Sequence, residues 1–167
     1  MTSRLPAKRV RPATREDVAF VIDCIRGLAD YEKLGDQLMS EPEALAEHLF
    51  GSRPFAEVLI GEFDGKAAGY ALFFHSYSTF LTRPGIYLED LFVLPTSRGC
   101  GLGKSLLAAV AALAVERNCG RLEWSVLDWN EAALAFYRAV GALPVDGWTV
   151  HRLTGAALGS LATMHRV

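Results

Sequence analysis

Ile86 to Glu116 constrains what this chain can fold into more than any other stretch. It reads IYLEDLFVLPTSRGCGLGKSLLAAVAALAVE, an apolar strand carrying two adjacent acids, Glu89 and Asp90, that runs into Pro95. A short polar loop ends in Arg98-Gly99-Cys100-Gly101-Leu102-Gly103, and Lys104-Ser105 then opens a long apolar helix. A strand apolar on both sides apart from its acids is expected where both faces of a sheet are covered. A glycine-dense turn at a helix N-terminus lets backbone N–H groups approach an anion at the positive end of the helix dipole. The turn therefore predicts a phosphate-bearing ligand. The nucleotide-triphosphate loop fails here, because G-x-x-x-x-G-K-[ST] would need glycine at Arg98. The dinucleotide fingerprint fails as well, since Gly99, Gly101 and Gly103 are spaced one residue too tightly for G-x-G-x-x-G.

The 167 residues suit one domain with a real core, and 51% hydrophobic with 22% charged residues is globular composition. A net charge of −2 gives no basic field for nucleic acid. The first ten residues have no apolar core of the kind a secretory signal carries, and no run reaches membrane-spanning length. Three cysteines, Cys24, Cys100 and Cys119, lack paired spacing and suit a reducing, cytoplasmic setting. His48, His75, His151 and His165 are scattered and make no metal set.

Residues 1–7 read as a loose tail and 8–167 as one domain. A first strand at Lys8–Arg11 precedes a helix capped at Thr14, whose apolar face is Val18, Val21, Ile22, Ile25 and Leu28. Ser40-Glu41-Pro42-Glu43 opens a second helix as a capping box. Phe55–Phe63 and Ala67–Tyr77 form a hairpin about Asp64-Gly65. After the strand Ile86–Leu94 comes a helix from Gly101 to about Arg117, ended at Asn118-Cys119-Gly120. A strand at Leu122–Leu127, a helix from Glu131 to Val140, two short strands after Gly141 and a helix from Thr154 complete the chain. Strands and helices mix, mostly antiparallel first and with a βαβ crossover later. The fold class is α/β, or α+β by stricter naming.

Arg98, Gly101 and Gly103 do satisfy R-x-x-G-x-G, the diphosphate signature of acetyl-coenzyme A binding in the GNAT superfamily of N-acetyltransferases, which the chain resembles. Asn130-Glu131-Ala132-Ala133-Leu134-Ala135-Phe136-Tyr137 supplies a second signature, N-x-x-A-x-x-x-Y. Tyr31-Glu32, Tyr87-Leu88-Glu89-Asp90, Asp128-Trp129-Asn130-Glu131 and Gly147-Trp148 are similar to the diamine (spermidine/spermine) and thialysine N-acetyltransferase branch. Cys100 and Leu102 depart from the aromatic and isoleucine expected there, and the segment from Gly141 to Trp148 is short. The resemblance implies a mostly antiparallel sheet of about seven strands, flanked by helices and splayed at a bulged fourth strand. It also implies a homodimer.

The implied reaction is acetyl transfer from acetyl-CoA, without a metal, to a primary amine of a small cationic acceptor. An alkylammonium near pKa 10.4 loses its proton at pH 7 at a cost of roughly 4 to 5 kcal/mol, so the site must assist. Glu89 is the implied base, through a water. Adjacent residues on a flat strand face opposite sides, so Glu89 and Asp90 share a cleft only if the strand bulges. The other reading of these acids is a core ion pair. Backbone N–H groups around Leu91, Phe92 and Val93 would meet pantetheine and polarise the thioester carbonyl.

Arg98, Gly99, Cys100, Gly101, Leu102, Gly103 and Lys104 would hold the diphosphate. Asn130, Ala133, Phe136 and Tyr137 would line the pantetheine arm, with Tyr137 toward the sulfur as acid or as hydrogen-bond donor. Asn130 as plain N-cap and Tyr137 as core are the structural alternatives. Tyr31, Glu32, Glu89, Asp90, Glu123, Trp124 and Asp146 would face the acceptor. A protein lysine or N-terminal acetyltransferase is the rival within enzymes, and a non-catalytic acyl-CoA sensor the rival outside them.

Overall fold

The computed structural model describes residues 7–39 and 41–165. The expected loose tail, apart from Ala7, and the capping residue Ser40 lie outside the described residues. The chain divides after Ser125 into two compact units, each taken by itself.

In the first unit, β1 (Lys8–Pro12), β2 (Glu57–Phe63), β3 (Lys66–Ser78), β4 (Arg83–Val93) and β5 (Leu122–Trp124) lie side by side in chain order. The first four are antiparallel. β5 pairs with β4 in parallel, after a crossover through α3 (Leu102–Glu116). The hairpin between β2 and β3 turns on Asp64 and Gly65, at φ 51° and 76°. Two left-handed residues in succession match the twist of the flanking strands.

Alternation along β2 divides the core. Val58 and Ile60 pack with Val21 and Cys24 of α1 (Val18–Glu32) and Leu49 of α2 (Pro42–Phe50). Gly61 points the other way, where a Cβ would stand 3.1 Å from the side chains of Leu102 and Leu106. Helices thus cover both faces of the sheet, α1 and α2 on one and α3 on the other. Burial of Leu102, Leu106, Leu107 and Val110 on α3 contributes on the order of 2 kcal/mol each. The helix ends as the sequence predicts, with Asn118 left-handed at φ 54°. Cys119 N–H reaches back to the Ala114 carbonyl at 2.8 Å. Arg117 forks onto both oxygens of Glu57, tying the end of α3 to the start of β2.

A second fork fixes the entrance to α1. Arg11 on β1 donates to Glu62 at 2.7 Å and to both oxygens of Asp17 at 2.7 and 2.9 Å. Asp17 also accepts the Thr14 N–H at 2.7 Å, so one carboxylate caps the turn and receives the guanidinium.

The second unit holds α4 (Glu131–Ala139) and α5 (Gly155–Ala162). The two strands expected after Gly141 are absent among the described residues, so the sheet has five strands rather than about seven. The apolar residues Leu143, Val145, Trp148 and Val150 of this stretch are all exposed. A strand needs a backbone partner, and the regular elements of this unit are helices. The fifth strand also stops at Trp124 instead of Leu127.

The Arg11 hydrogen bonds hold the Asp17 carboxyl at about 2, below its ordinary 3.8. A depressed carboxylate stabilises the fold above its unfolded pKa and loses that contribution as pH falls through the folded one. Asp17→Asn should therefore cost about 2 kcal/mol at pH 7. The deficit relative to wild type should shrink as pH falls from about 4 toward 2. Urea unfolding of both proteins across that range checks it.

Candidate active site

Register places the bulge. Along β3 and β4 the partners are Ala71 with Leu91, Leu72 with Asp90, then Phe73 with Leu88, so Glu89 has no counterpart. The sequence expected a bulged fourth strand, and it is present at the acid pair. One surplus residue reverses the alternation. Phe92 belongs to the α1-side core, and Asp90, two residues earlier, shares that face. Leu88, opposite Phe73, falls on the α3 side. The β4–β5 ladder ends at Leu88, one residue before the bulge, while β3 follows β4 to Val93. Leu94 N–H goes to the Ala68 carbonyl on β3. By alternation, the N–H groups of Leu91 and Val93 therefore point away from β3, along the edge β5 has left.

Asp90 enters an open cleft of about 210 Å³ beneath the C-terminal end of α1. Ile25, Leu28, Leu34 and Leu38 give it an apolar wall, and Glu32 is its second acid. Burial pushes the Asp90 carboxyl up from its ordinary value, while the Tyr70 hydroxyl, donating to Oδ2 at 2.7 Å, pulls it down. Glu32 is raised by its own burial and then by the Asp90 charge. Two carboxylates that repel each other against an apolar wall form a site for a cation. Glu89 is exposed at the bulge and is not among the residues lining this cleft.

The glycine turn has the backbone that the sequence demands. Gly99 and Gly101 lie at φ 76° and 83°, and Gly101 is the N-cap of α3. The first α3 amides, Leu102, Gly103 and Lys104, have no acceptor within the helix and face outward from its N-terminus. Leu102 is buried beneath the turn and Lys104 is exposed. Cys100 donates its thiol to the Ser97 carbonyl at 3.0 Å. Arg98 turns away from the glycines: its Nε donates to the Val93 carbonyl at 3.0 Å, and its guanidinium lies over the rings of Tyr31 and Phe92. Tyr31 therefore serves as a platform for Arg98, one residue from Glu32.

Glu123 on β5 is held by Arg121 at 2.7 Å, and Trp124 is the partner of Leu88. In the second unit, Asn130 Oδ1 accepts the Ala133 N–H at 3.2 Å and so caps α4. Asn130, Ala133 and Tyr137 follow i, i+3, i+7 spacing on one helix face. Phe136 and Tyr137 have ring centroids 5.2 Å apart. Asp146 is exposed in the turn before Gly147.

Residues 27–142 match the Acetyltransferase (GNAT) family. This chain belongs to that family. It is 40% identical over 164 residues to a thialysine N-epsilon-acetyltransferase of Bos taurus, with 92% of this chain and 96% of the relative covered. An L-ornithine N5-acetyltransferase of Arabidopsis thaliana is 33% identical, covering 92% of this chain and 87% of its own length. Among solved structures, an integron cassette protein from the V. cholerae mobile metagenome superposes with a TM-score of 0.77 at 26% identity, over 93% of this chain and 97% of its own.

The glycine turn and the acidic cleft both lie in the first unit, and the N-x-x-A-x-x-x-Y helix is α4 of the second. Two residues escaped sequence reasoning. Tyr70 lay within the expected strand Ala67–Tyr77 without being singled out, and it is fully buried. The signal was the phenol, since a buried hydroxyl needs a partner. Lys8 gave no signal: its Nζ donates at 2.9 Å to the Cys100 carbonyl, across 92 residues of sequence.

At Gly101, φ 83° rather than crowding decides the effect of a side chain, because the nearest atom is the flexible Lys8 Nζ. Gly101→Ala should cost about 1 to 2 kcal/mol of stability. It should also weaken acetyl-CoA binding by about tenfold, as calorimetry and thermal melts would register together.

Proposed function

We propose that the chain transfers the acetyl group of acetyl-CoA to a primary amine of a small cationic acceptor, thialysine or a basic amino acid of similar shape. The observation that carries this is the Glu32–Asp90 pair in one small cleft. Its size suits a single alkylammonium chain, and its charge rejects a neutral or anionic acceptor. The names of the thialysine and ornithine acetyltransferase relatives point to the same chemical class.

In this reading the amides of Gly101 to Lys104 hold the diphosphate, and Leu91 and Val93 N–H groups meet the pantetheine arm and thioester carbonyl. Asp90 and Glu32 hold the cationic group of the acceptor. Glu89, exposed at the bulge, takes the proton of the attacking ammonium through a water. The amine nitrogen then bonds to the thioester carbon, the C–S bond breaks with its electron pair on sulfur, and the surplus proton on the nitrogen passes to that thiolate. Tyr137 donates a hydrogen bond to the departing sulfur; a phenol near pKa 10 is a weaker acid than a thiol near 8.5, so full proton transfer would need a lowered phenol pKa. The family match runs from 27 to 142 and so takes in residues of both units. The chain acts in the cytoplasm as a homodimer in this reading. The resemblance supports the dimer, and the free cysteines Cys24, Cys100 and Cys119 suit a reducing compartment.

A thiol-release assay with acetyl-CoA and thialysine, L-ornithine, spermidine, putrescine or a lysine peptide tests the assignment. Turnover should be best with the two amino acids, and thiol release only with the peptide would overturn it. Tyr137→Phe should lower kcat at least tenfold with acetyl-CoA affinity little changed; wild-type turnover would remove Tyr137 from the mechanism.

A further inference from the structure

Tyr70 sits within β3, opposite Phe92 and two register positions from Asp90 on the same face of the sheet. Its ring is fully buried within the cluster that includes Val21, Cys24 and Ile60. A phenylalanine would fill the same core space, so packing does not explain the hydroxyl. The hydroxyl points instead at Asp90 Oδ2, 2.7 Å away, at the floor of the cleft.

We propose that Tyr70 is a positioning residue for the acceptor: its hydroxyl fixes the Asp90 carboxylate toward the cleft shared with Glu32 and favours the anionic form that holds an ammonium. The inference rests on the reading of Asp90 as part of the amine site. A carboxylate deep against an apolar wall and facing a second acid tends to take up a proton, and a protonated Asp90 attracts no cation. The groups that bear on it are Tyr70 from β3 and Glu32 from α1, with the Cys24 thiol of α1 behind the phenol. Cys24 is pushed up to about 12 by burial and stays a neutral thiol at working pH. Tyr70 is raised far above its ordinary value and stays a donor. Among these, Tyr70 is the group that donates a hydrogen bond to Asp90.

Tyr70→Phe keeps the ring and removes this donor. Wild type, Tyr70→Phe, Asp90→Asn and the double variant would be compared by thiol release, with thialysine and L-ornithine as acceptors and thermal melts alongside. Tyr70→Phe should raise the amine KM about tenfold, the effect typical of losing a hydrogen bond to a charged group. The KM for acetyl-CoA should stay at the wild-type value and kcat close to it. Removing a donor to the carboxylate raises its pKa, so the acidic limb of kcat/KM for the amine should move to higher pH. The double variant should be no worse than Asp90→Asn, because both act through one carboxylate.

An unchanged amine KM and pH profile in Tyr70→Phe, with Asp90→Asn impaired, would overturn the role of Tyr70 and leave the amine site standing. An unchanged amine KM in Asp90→Asn would overturn the amine site, and the role of Tyr70 with it. A fall in melting temperature with both KM values raised together would also overturn it, as the mark of a core residue and nothing more.

Discussion

Glu89 occupies one more place on β4 than β3 offers opposite it, and the ladder absorbs the surplus by reversing which way the strand's side chains face. Before the bulge, Leu88 looks toward α3; after it, Asp90 and Phe92 look toward α1. In an unbulged strand Leu88, Asp90 and Phe92 would share a face, and Glu89 would point into the opposite core. The bulge lets an acid-bearing strand run through the centre of a protein while exposing one acid and turning the other into a cleft. It also coincides with the point where β5 leaves, so the same irregularity bares the backbone of Leu91 and Val93.

The electrostatics follow from that placement. Asp90 loses solvation and Glu32 brings a like charge to the same cleft, so burial and mutual repulsion both raise the cost of keeping the pair ionised. Positive charge is close by in Arg98, but its guanidinium is spread over Tyr31 and Phe92 and its Nε is committed to the Val93 carbonyl. Arg98 thus ties the end of β4 to the Tyr31 ring at the end of α1. Near the C-terminal end of β4 the chain brings an acid pair and outward N–H donors within a few residues of each other. A substrate pair that is cationic on one side and a diphosphate on the other fits both.

Much of this was legible before any coordinates. Gly99 and Gly101 were readable because a strand-to-helix turn that presents amides to an anion requires left-handed residues, which glycine adopts without strain. The Asp64-Gly65 hairpin and the Asn118 helix stop were readable for the same local reason. Position along a strand was harder. That β4 had to bulge for both acids to matter could be argued from the alternation of a flat strand, but that the surplus residue was Glu89 depended on pairing with β3. Tyr70 was hidden because alternation reports burial and not the aim of a hydroxyl. Beyond Gly141 two short strands were expected, and a local stretch of sequence cannot by itself supply the neighbouring backbone a strand needs.

Gly61 shows how far the glycine turn depends on residues outside it. Its bare Cα is the floor on which Leu102 and Leu106 rest, so the depth at which α3 begins is set from the opposite strand. A methyl group there would meet those side chains at 3.1 Å, so the two leucines would have to give by a few tenths of an ångström to admit it. Packing beneath the glycine turn thus depends on a residue of β2, although no sequence motif spans both.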